Sequence, residues 1–226
     1  MDWRYNTIWF EQIEPQKFLN CDLKSRKLSS IDITNIEYAI FWHYKQKGLS
    51  FDSFPPSDKL LYLELNWANV KDFSGIEKLS ALKRLELHYC TKLETDAGLS
   101  VLSDKIEYLH INQSKKLQSI DEICKLSKLK VLCLNSCGPL ENLLFLKMFP
   151  NLMDFRFVDT NILDGDLTPL IEHPTIRSVG FLNKRHYNYS DDEIDSALEL
   201  KSNEEYEDFA YKGEYLTSKY KAYDKD

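Results

Sequence analysis

Glu86, His110 and Cys133 are an acid, an imidazole and a thiol, the side-chain types that a cysteine-based nucleophilic site combines. They follow one another at steps of roughly 23 residues, a period typical of a structural repeat rather than of a compact loop. Together with Glu64 and His88 they also include the usual ligands of zinc. Their chemistry depends on whether the elements that hold them make them converge on one point or spread them along a surface.

Six copies of one apolar-x-x-apolar-x-apolar pattern position these residues. The copies begin at Leu60, Leu82, Ile106, Leu129, Leu152 and Ile176, and their register never slips. A fixed period of this length is typical of a solenoid, in which each repeat buries its apolar face against its neighbours. Solenoids present extended surfaces, so the pattern favours binding over chemistry.

Three copies extend into a longer motif, namely LKRLELHYCTKL from Leu82, IEYLHINQSKKL from Ile106 and LKVLCLNSCGPL from Leu129. They resemble the leucine-rich repeat family, in which a polar slot follows the last apolar position and bonds to the inner backbone. The resemblance implies an α/β horseshoe of the short-repeat class, with a parallel β-sheet on the concave face and 3-10 or short helical segments on the convex side. The polar slot holds Cys90, Ser114, Cys137 and Thr160, but Ala68 and Lys184 in the first and last copies.

Three regions follow from the pattern. Residues 1–56 are predicted to form an N-terminal cap with a degenerate first repeat, because Ile36 lies one repeat length before Leu60 in the same register. We expect Ile8, Phe10, Phe18 and Leu23 to close the open N-terminal end, since an uncapped solenoid exposes a strand edge. Residues 57–185 hold the six repeats, and residues 186–226 form an acidic C-terminal cap or tail.

The C-terminal region is expected to fold back as a cap rather than to remain a free tail. Ser190 to Glu193 fits a capping box that opens a helix, with Ile194, Leu198 and Leu200 on its inner face. Tyr206 and Phe209 follow, and disordered tails rarely contain such aromatic residues.

Composition favours one elongated, cytoplasmic domain. The net charge of −7 comes from residues 190–226, which hold 12 acids and 5 lysines, whereas the remaining acids and bases balance. No apolar run reaches the roughly 18 residues of a membrane helix, and no secretory signal pattern opens the chain. The five cysteines do not suggest a disulfide framework, so we expect reduced thiols.

Residues between the consensus leucines should point out of the concave sheet, because successive side chains of a strand alternate faces. The N-terminal half of this face is rich in Tyr, Trp and Arg, which often dominate binding energy; cross-strand stacking that only stabilises the sheet is the alternative. The predicted partner-binding residues are Tyr62, Glu64, Asn66, Trp67, Arg84, Glu86, His88, Tyr89, Tyr108, His110, Asn112, Asp154 and Arg156.

Catalysis, metal binding and nucleic-acid binding are not expected here. An open sheet provides no oxyanion hole for Glu86, His110 and Cys133, and a flat column spreads metal ligands apart, although His88 beside His110 is a tighter pair. The lysines near Lys115 and Lys128 fall on loops and the convex side, so no nucleic acid is expected. The sequence predicts no catalytic residue, cofactor or metal.

The sequence therefore predicts a non-enzymatic protein that recognises another protein and is monomeric when free, with no membrane contact. Glu64 facing Glu86 favours a partner with a basic patch, since adjacent like charges need compensation. The resemblance to small bacterial repeat proteins, together with the acidity, suggests an immunity or antitoxin-like protein that blocks a toxin. The alternatives are an adaptor or regulatory subunit that scaffolds a cellular enzyme, and a secreted effector that binds a host protein.

Overall fold

The computed structural model describes residues 1–201 and 206–224, while the side chains of residues 206–209 and 224 lie outside the described part. Eight short parallel strands form one sheet in chain order, which gives a solenoid-like α/β fold. The strands are β1 (Phe18–Asp22), β2 (Tyr38–Trp42), β3 (Tyr62–Asn66), β4 (Arg84–His88), β5 (Tyr108–Asn112), β6 (Val131–Asn135), β7 (Asp154–Arg156) and β8 (Ser178–Gly180).

The consensus leucines face inward, as the two-residue alternation of a strand requires. Leu85 and Leu87 of β4 are fully buried, and the equivalent residues of the other repeats join them in one continuous core. In the region of the expected degenerate first repeat, β2 pairs with β3 and Tyr38 lies opposite Tyr62. Phe18 lies in an additional strand, β1, which the sequence pattern did not predict.

Short helices connect successive strands, as the resemblance implies, and we call their side of the solenoid the convex side. They include the 3-10 turns Ile76–Lys78, Leu99–Leu102, Ile123–Lys125 and Leu144–Met148, and the helix α1 (Thr168–Glu172). Gly75 and Gly98 precede two of them with φ of 89° and 93°. A Cβ atom at Gly75 would lie 2.5 Å from the Asp52 backbone nitrogen, so this turn requires glycine.

The polar slot bonds to the backbone of a neighbouring repeat. The Thr160 hydroxyl donates to the Leu134 carbonyl at 2.6 Å, and the Cys137 thiol lies 3.4 Å from the Ile111 carbonyl. The Ser114 hydroxyl donates to the Cys90 carbonyl in the same way. These bonds satisfy carbonyls at the inner bend, where water does not reach.

The helix α2 (Asp191–Glu199) covers the last strand. The predicted capping box is present, since the Ser190 hydroxyl accepts from the Glu193 backbone N–H and the Glu193 carboxylate accepts from the Ser190 backbone N–H. Ile194 and Leu198 are buried in the main core. The expectation for Leu200 was wrong: it lies at the end of the helix and is 90% exposed.

Residues near both ends of the chain lie on the sheet face opposite the leucine core. The resemblance implies that this face is concave, and we keep the name concave face for it. The N-terminal segment contains the 3-10 turns Phe10–Gln12 and Pro15–Lys17, and the turn Leu28–Ser30 follows β1. The C-terminal segment contains the hairpin of β9 (Tyr206–Lys212) and β10 (Tyr215–Tyr220), followed by the turn Lys221–Asp224. The Asn6 backbone N–H donates to the Ser218 carbonyl at 2.9 Å, which joins the two segments. We refer to residues 1–13 and 215–224 as the terminal cover.

The terminal cover corrects one expectation about the N-terminus. Ile8 and Phe10 do not close the N-terminal end of the solenoid; Ile8 belongs to a second apolar cluster on the concave face, and Phe10 packs against it. The Phe10 ring stacks on Phe18 at 4.9 Å and lies 5.4 Å from Tyr62. Tyr206 and Phe209, expected to belong to the C-terminal cap, have side chains outside the described part.

The described residues contain no helix that is long and apolar enough to cross a membrane. All five cysteines are free.

Candidate functional site

Residues expected to point out of the sheet form columns across neighbouring strands. In the first column, Tyr62 pairs with Arg84, and Arg84 pairs with Tyr108. The second column places Glu64, Glu86 and His110 on adjacent strands. The sequence therefore predicted correctly which side chains are neighbours across the sheet.

The predicted exposure of these neighbours was wrong for the first column. Tyr62, Arg84 and Tyr108 are only 2%, 4% and 8% exposed because the terminal cover lies on them. Trp3, Ile8, Tyr220 and Tyr223 pack with the two tyrosines and Val131 in the second apolar cluster. Asn66, Glu86 and Asp154, also expected to face solvent, are buried too.

Arg84 joins the sheet to the N-terminal segment. Its guanidinium donates to the carbonyls of Trp3 at 3.0 Å and Tyr5 at 2.6 Å. The same group lies 3.6 Å from the centre of the Tyr108 ring. Burial lowers the pKa of Arg84, but the adjacent Glu86 outweighs this and raises it, so the buried cation stays charged.

Glu86 is the anion that compensates this cation. Its carboxylate accepts from Arg84 Nε at 2.7 Å and lies 3.0 Å from His88 Nε2. Burial raises the pKa of Glu86, but the charge of Arg84 and the hydrogen bonds from His110 and His88 outweigh it and hold the pKa well below its ordinary value. Arg84 and Glu86 therefore form a buried, internally neutral pair.

Glu64, on the neighbouring strand, is satisfied separately. Its carboxylate accepts from the Tyr62 hydroxyl at 2.7 Å and from the Asn66 amide at 2.6 Å. The facing acids Glu64 and Glu86 thus have partners within the chain. Glu64 and Glu86 therefore give no reason to expect that a partner supplies a cation here.

Glu86, His88 and His110 have ligand atoms within 4.8 Å of one another, a spacing that suits a metal ion. The hydrogen bonds around His110 argue against it. The Val158 backbone N–H donates to Asn135 Oδ1 at 3.0 Å, which assigns the Asn135 NH₂ group to the His110 side, 3.2 Å from Nε2. His110 Nε2 then accepts, and the ring proton is on Nδ1, the atom that faces Glu86. With Arg84 beside the same carboxylate, these groups form an ion-pair network rather than a metal centre.

Cys133 does not complete a nucleophilic site with Glu86 and His110. The thiol is 2% exposed, and burial raises its pKa above the ordinary value. A thiol needs a lowered pKa to act as a nucleophile near neutral pH. The column is therefore a stack of structural side chains.

Asp154 and Arg156 lie toward the other end of the face. Asp154 is buried, and its Oδ2 accepts from Arg156 Nη2 at 3.1 Å and from the Tyr220 hydroxyl at 3.2 Å. Burial raises the pKa of Asp154 despite the charge of Arg156. Asp154 thus holds the terminal cover, whereas Arg156 remains exposed.

The exposed aromatic residues of the face lie where the strands end. The Trp67 ring stacks on His43 at 5.3 Å and on Tyr89 at 5.5 Å, and it contacts Trp42 at 5.3 Å. Trp67 is 43% exposed and Tyr89 is 45% exposed. We refer to Trp42, His43, Trp67 and Tyr89 as the aromatic ridge.

The backbone holds the ridge rigidly. His43, Trp67 and Tyr89 have φ between 53° and 58°, a left-handed conformation that is uncommon outside glycine. The Trp67 backbone N–H donates to the His88 carbonyl at 2.9 Å, and the Tyr89 N–H donates to Asn112 at 3.0 Å. Gln113 and Ser136 share this conformation, so it belongs to the repeat and is not specific to the ridge.

Sequence reasoning found Trp67 and Tyr89 but missed Trp42 and His43. A signal was present, since these residues precede Asn66 and Trp67 by one repeat length and occupy the equivalent positions of the degenerate repeat. Asn112 and His88 are half-buried.

The comparisons with protein-family models, with curated proteins and with solved structures found no match.

Proposed function

We propose that this chain is a leucine-rich-repeat horseshoe that binds another protein without catalysis, and that the aromatic ridge is its contact surface. The observation that carries the proposal is the ridge itself: its rings stack on one another, and Trp67 and Tyr89 remain exposed although Tyr62, Arg84 and Tyr108 of the same face are covered. Trp and Tyr at the centre of an interface often provide most of its binding energy.

The free polar atoms of the ridge support a binding role. In residues 1–201 and 206–224, neither the Trp67 indole N–H nor the Tyr89 hydroxyl has a hydrogen-bond partner among the described contacts, whereas the Trp42 indole donates to Asn20 at 2.9 Å. Exposed Trp and Tyr with an apolar ring and an unused donor are well suited to a protein interface. The rigid backbone beneath them reduces the entropy that binding must remove.

The leucine-rich-repeat assignment is supported by three features together. The period of the apolar pattern falls within the range of leucine-rich repeats. The polar slot bonds to the inner backbone, and 3-10 turns rather than long helices form the convex side. The buried thiols agree with a non-catalytic role, because burial raises the pKa of Cys90 and Cys137 to about 12.

The test is affinity capture with the full chain as bait, compared with the double variant Trp67→Ala and Tyr89→Ala. A partner that uses the ridge should lose about 2 kcal/mol or more of binding free energy in the variant. The matched control is Leu144→Ala and Met148→Ala, which removes exposed apolar groups from the convex side. Equal loss in both variants, or loss in the control alone, would place the interface elsewhere.

Within this function we favour an immunity or antitoxin-like role, as the sequence suggests, over an adaptor or a secreted effector. The captured protein separates them. A toxin that the purified chain inhibits at equal concentration supports the first role, capture of a housekeeping enzyme that stays active supports the second, and capture of a host protein supports the third.

A further inference from the structure

The chain segments that directly follow the first five strands are rich in cations. Segments 23–30, 43–50, 67–71, 89–93 and 113–118 contain three, two, one, one and two Lys or Arg residues, respectively, and no Asp or Glu, although Asp22 precedes the first segment and Asp72 and Glu94 follow the third and fourth. Because the strands are parallel, these segments all begin at the same end of the strands, which forms one edge of the solenoid. We refer to their nine cations as the basic edge: Lys24, Arg26, Lys27, Lys45, Lys47, Lys71, Lys92, Lys115 and Lys116.

These cations are largely unused within the chain. Lys71 lies 3.7 Å from Glu94. In residues 1–201 and 206–224, the other eight form no ion pair with a described acid within 4.0 Å. Among the buried acids, Glu86, Glu107 and Asp154 form ion pairs with Arg84, Lys130 and Arg156, and Asp96 accepts from two backbone N–H groups. Exposed positive charge remains at the basic edge.

A groove concentrates part of this charge. Its volume is about 620 Å³, and its lining includes Lys24, Arg26, Lys27, Lys45 and His43, with Leu23 and Leu28 but no Asp or Glu. His43 also belongs to the aromatic ridge, where it stacks on Trp67. The groove and the ridge are therefore one continuous surface.

We propose that this surface binds an acidic segment of another protein, whose carboxylates meet the basic edge while its apolar groups meet the aromatic ridge. The proposal rests on the proposed function and adds the chemistry of the partner. It replaces the expectation of a basic partner, because the acids behind that expectation are satisfied internally and the exposed charge beside the ridge is positive. Complementary charge around an aromatic patch is a common interface pattern.

Discrete carboxylates fit this surface better than a nucleic acid does. Bases stack on open aromatic faces, but the rings of His43, Trp67 and Tyr89 stack on one another. Asp22 lies beside the same surface, 2.9 Å from His43 Nδ1, and it repels phosphates and carboxylates alike, so the acidic groups of the partner are expected beside the lysines and arginines away from it.

A second copy of this chain is the competing occupant. The helix α2 carries Asp191, Asp192 and Glu193 in its first turn and lies at the opposite end of the solenoid. Sedimentation at low salt separates the two cases: the proposal expects a monomer, and a dimer lost on reversing the charge of the groove would make the occupant a second copy.

The experiment measures binding of labelled poly-L-glutamate by fluorescence anisotropy. The test variant combines Arg26→Glu, Lys27→Glu and Lys45→Glu; the control combines Lys125→Glu, Lys128→Glu and Lys147→Glu, which makes the same change of net charge on exposed convex residues. We expect the wild type to bind at about 20 mM salt and to weaken at least about tenfold by 200 mM, since salt screens exposed charges.

The test variant should lose at least about tenfold in affinity, and the control less than about threefold, because screened charges act mainly at short range. If charge reversal unfolds the chain, the triple variant with Ala at the same positions replaces it. The Ala variant should also lose more affinity than its control. No binding by the wild type, equal losses in both variants, or tighter binding of oligodeoxythymidine than of poly-L-glutamate would each overturn the proposal. Such a failure would leave the proposed function intact, because that depends on the ridge variants and the captured partner.

Discussion

The aromatic ridge and the first column of the concave face are made of similar residues with opposite surroundings. Trp67 and Tyr89 stand at the strand ends and are exposed, whereas Tyr62, Arg84 and Tyr108, a short way along the same sheet, lie under the terminal cover. The difference shows that Tyr, Trp and Arg on the face of a solenoid can bind the chain's own terminal segments as well as an external partner.

The chemistry beneath the cover explains why the first column is not a vacant binding face. Arg84 has its hydrogen bonds filled by Glu86 and by carbonyls of residues 3–6. A buried charge keeps its free energy low only when such partners are complete. Displacing the cover would leave Arg84 and the apolar rings exposed together, so the cover behaves as part of the folded domain.

The largest expected effect is the loss of stability on removing the C-terminal segment, which contributes to both the core and the terminal cover. Deleting residues 190–226 removes Ile194 and Leu198 from the core and Tyr220 from the cover. Each fully buried side chain contributes roughly 1.5–3 kcal/mol, so the melting temperature should fall by about 10 °C or more, with aggregation. Calorimetry measures this, with Leu200→Ser as an exposed control that should change little. An unchanged melting temperature would mean that the segment is a tail.

Removing Arg84 should destabilise the protein and loosen the terminal cover, because Arg84 joins the covered first column to the N-terminal segment. Arg84→Ala leaves Glu86 buried without its cation and should lower the free energy of unfolding by roughly 3–5 kcal/mol. Urea unfolding measures the loss, and limited proteolysis should show faster cleavage within residues 1–13. The exposed Arg26→Ala is the matched control. A loss below about 1 kcal/mol would show that Arg84 does not hold the cover.

Two tyrosines test the comparison directly. Tyr108→Ala should cost about 3 kcal/mol of unfolding free energy, because it leaves a cavity under the cover. Tyr89→Ala should change stability by no more than about 0.5 kcal/mol, as is usual at exposed sites, while weakening partner binding. Urea unfolding of both variants measures the difference, and equal losses would contradict the division into covered column and open ridge.

The smallest effect concerns pH. Burial lowers the pKa of His88, but its hydrogen bond to Glu86 and the charge of that residue outweigh this and raise the pKa above the ordinary value of 6.5. The resulting stabilisation is therefore complete below pH 6.5 and is lost as the pH rises through the raised pKa. Unfolding free energies across this range should decline more in the wild type than in His88→Gln. Parallel curves would mean that folding does not change the pKa of His88.

Much of the fold was predictable from sequence. The steps between Leu60 and Ile176 predicted the parallel sheet, its register and the side chains that share each column. The capping box at Ser190 was a local pattern and was confirmed. The exposure of Tyr62 and Tyr108 was predicted wrongly, because the terminal segments that cover them carry no repeat signal.

The sequence by itself determined which residues are neighbours within the solenoid, since a fixed period and the two-residue alternation of strands leave one register that buries the leucines. Only the tertiary structure decided which of those neighbours meet water. Asn6, near one end of the chain, meets Ser218, near the other, and neither segment shows a pattern that indicates the other. Whether a side chain is exposed depends on such long-range contacts, and these are absent from any local periodicity.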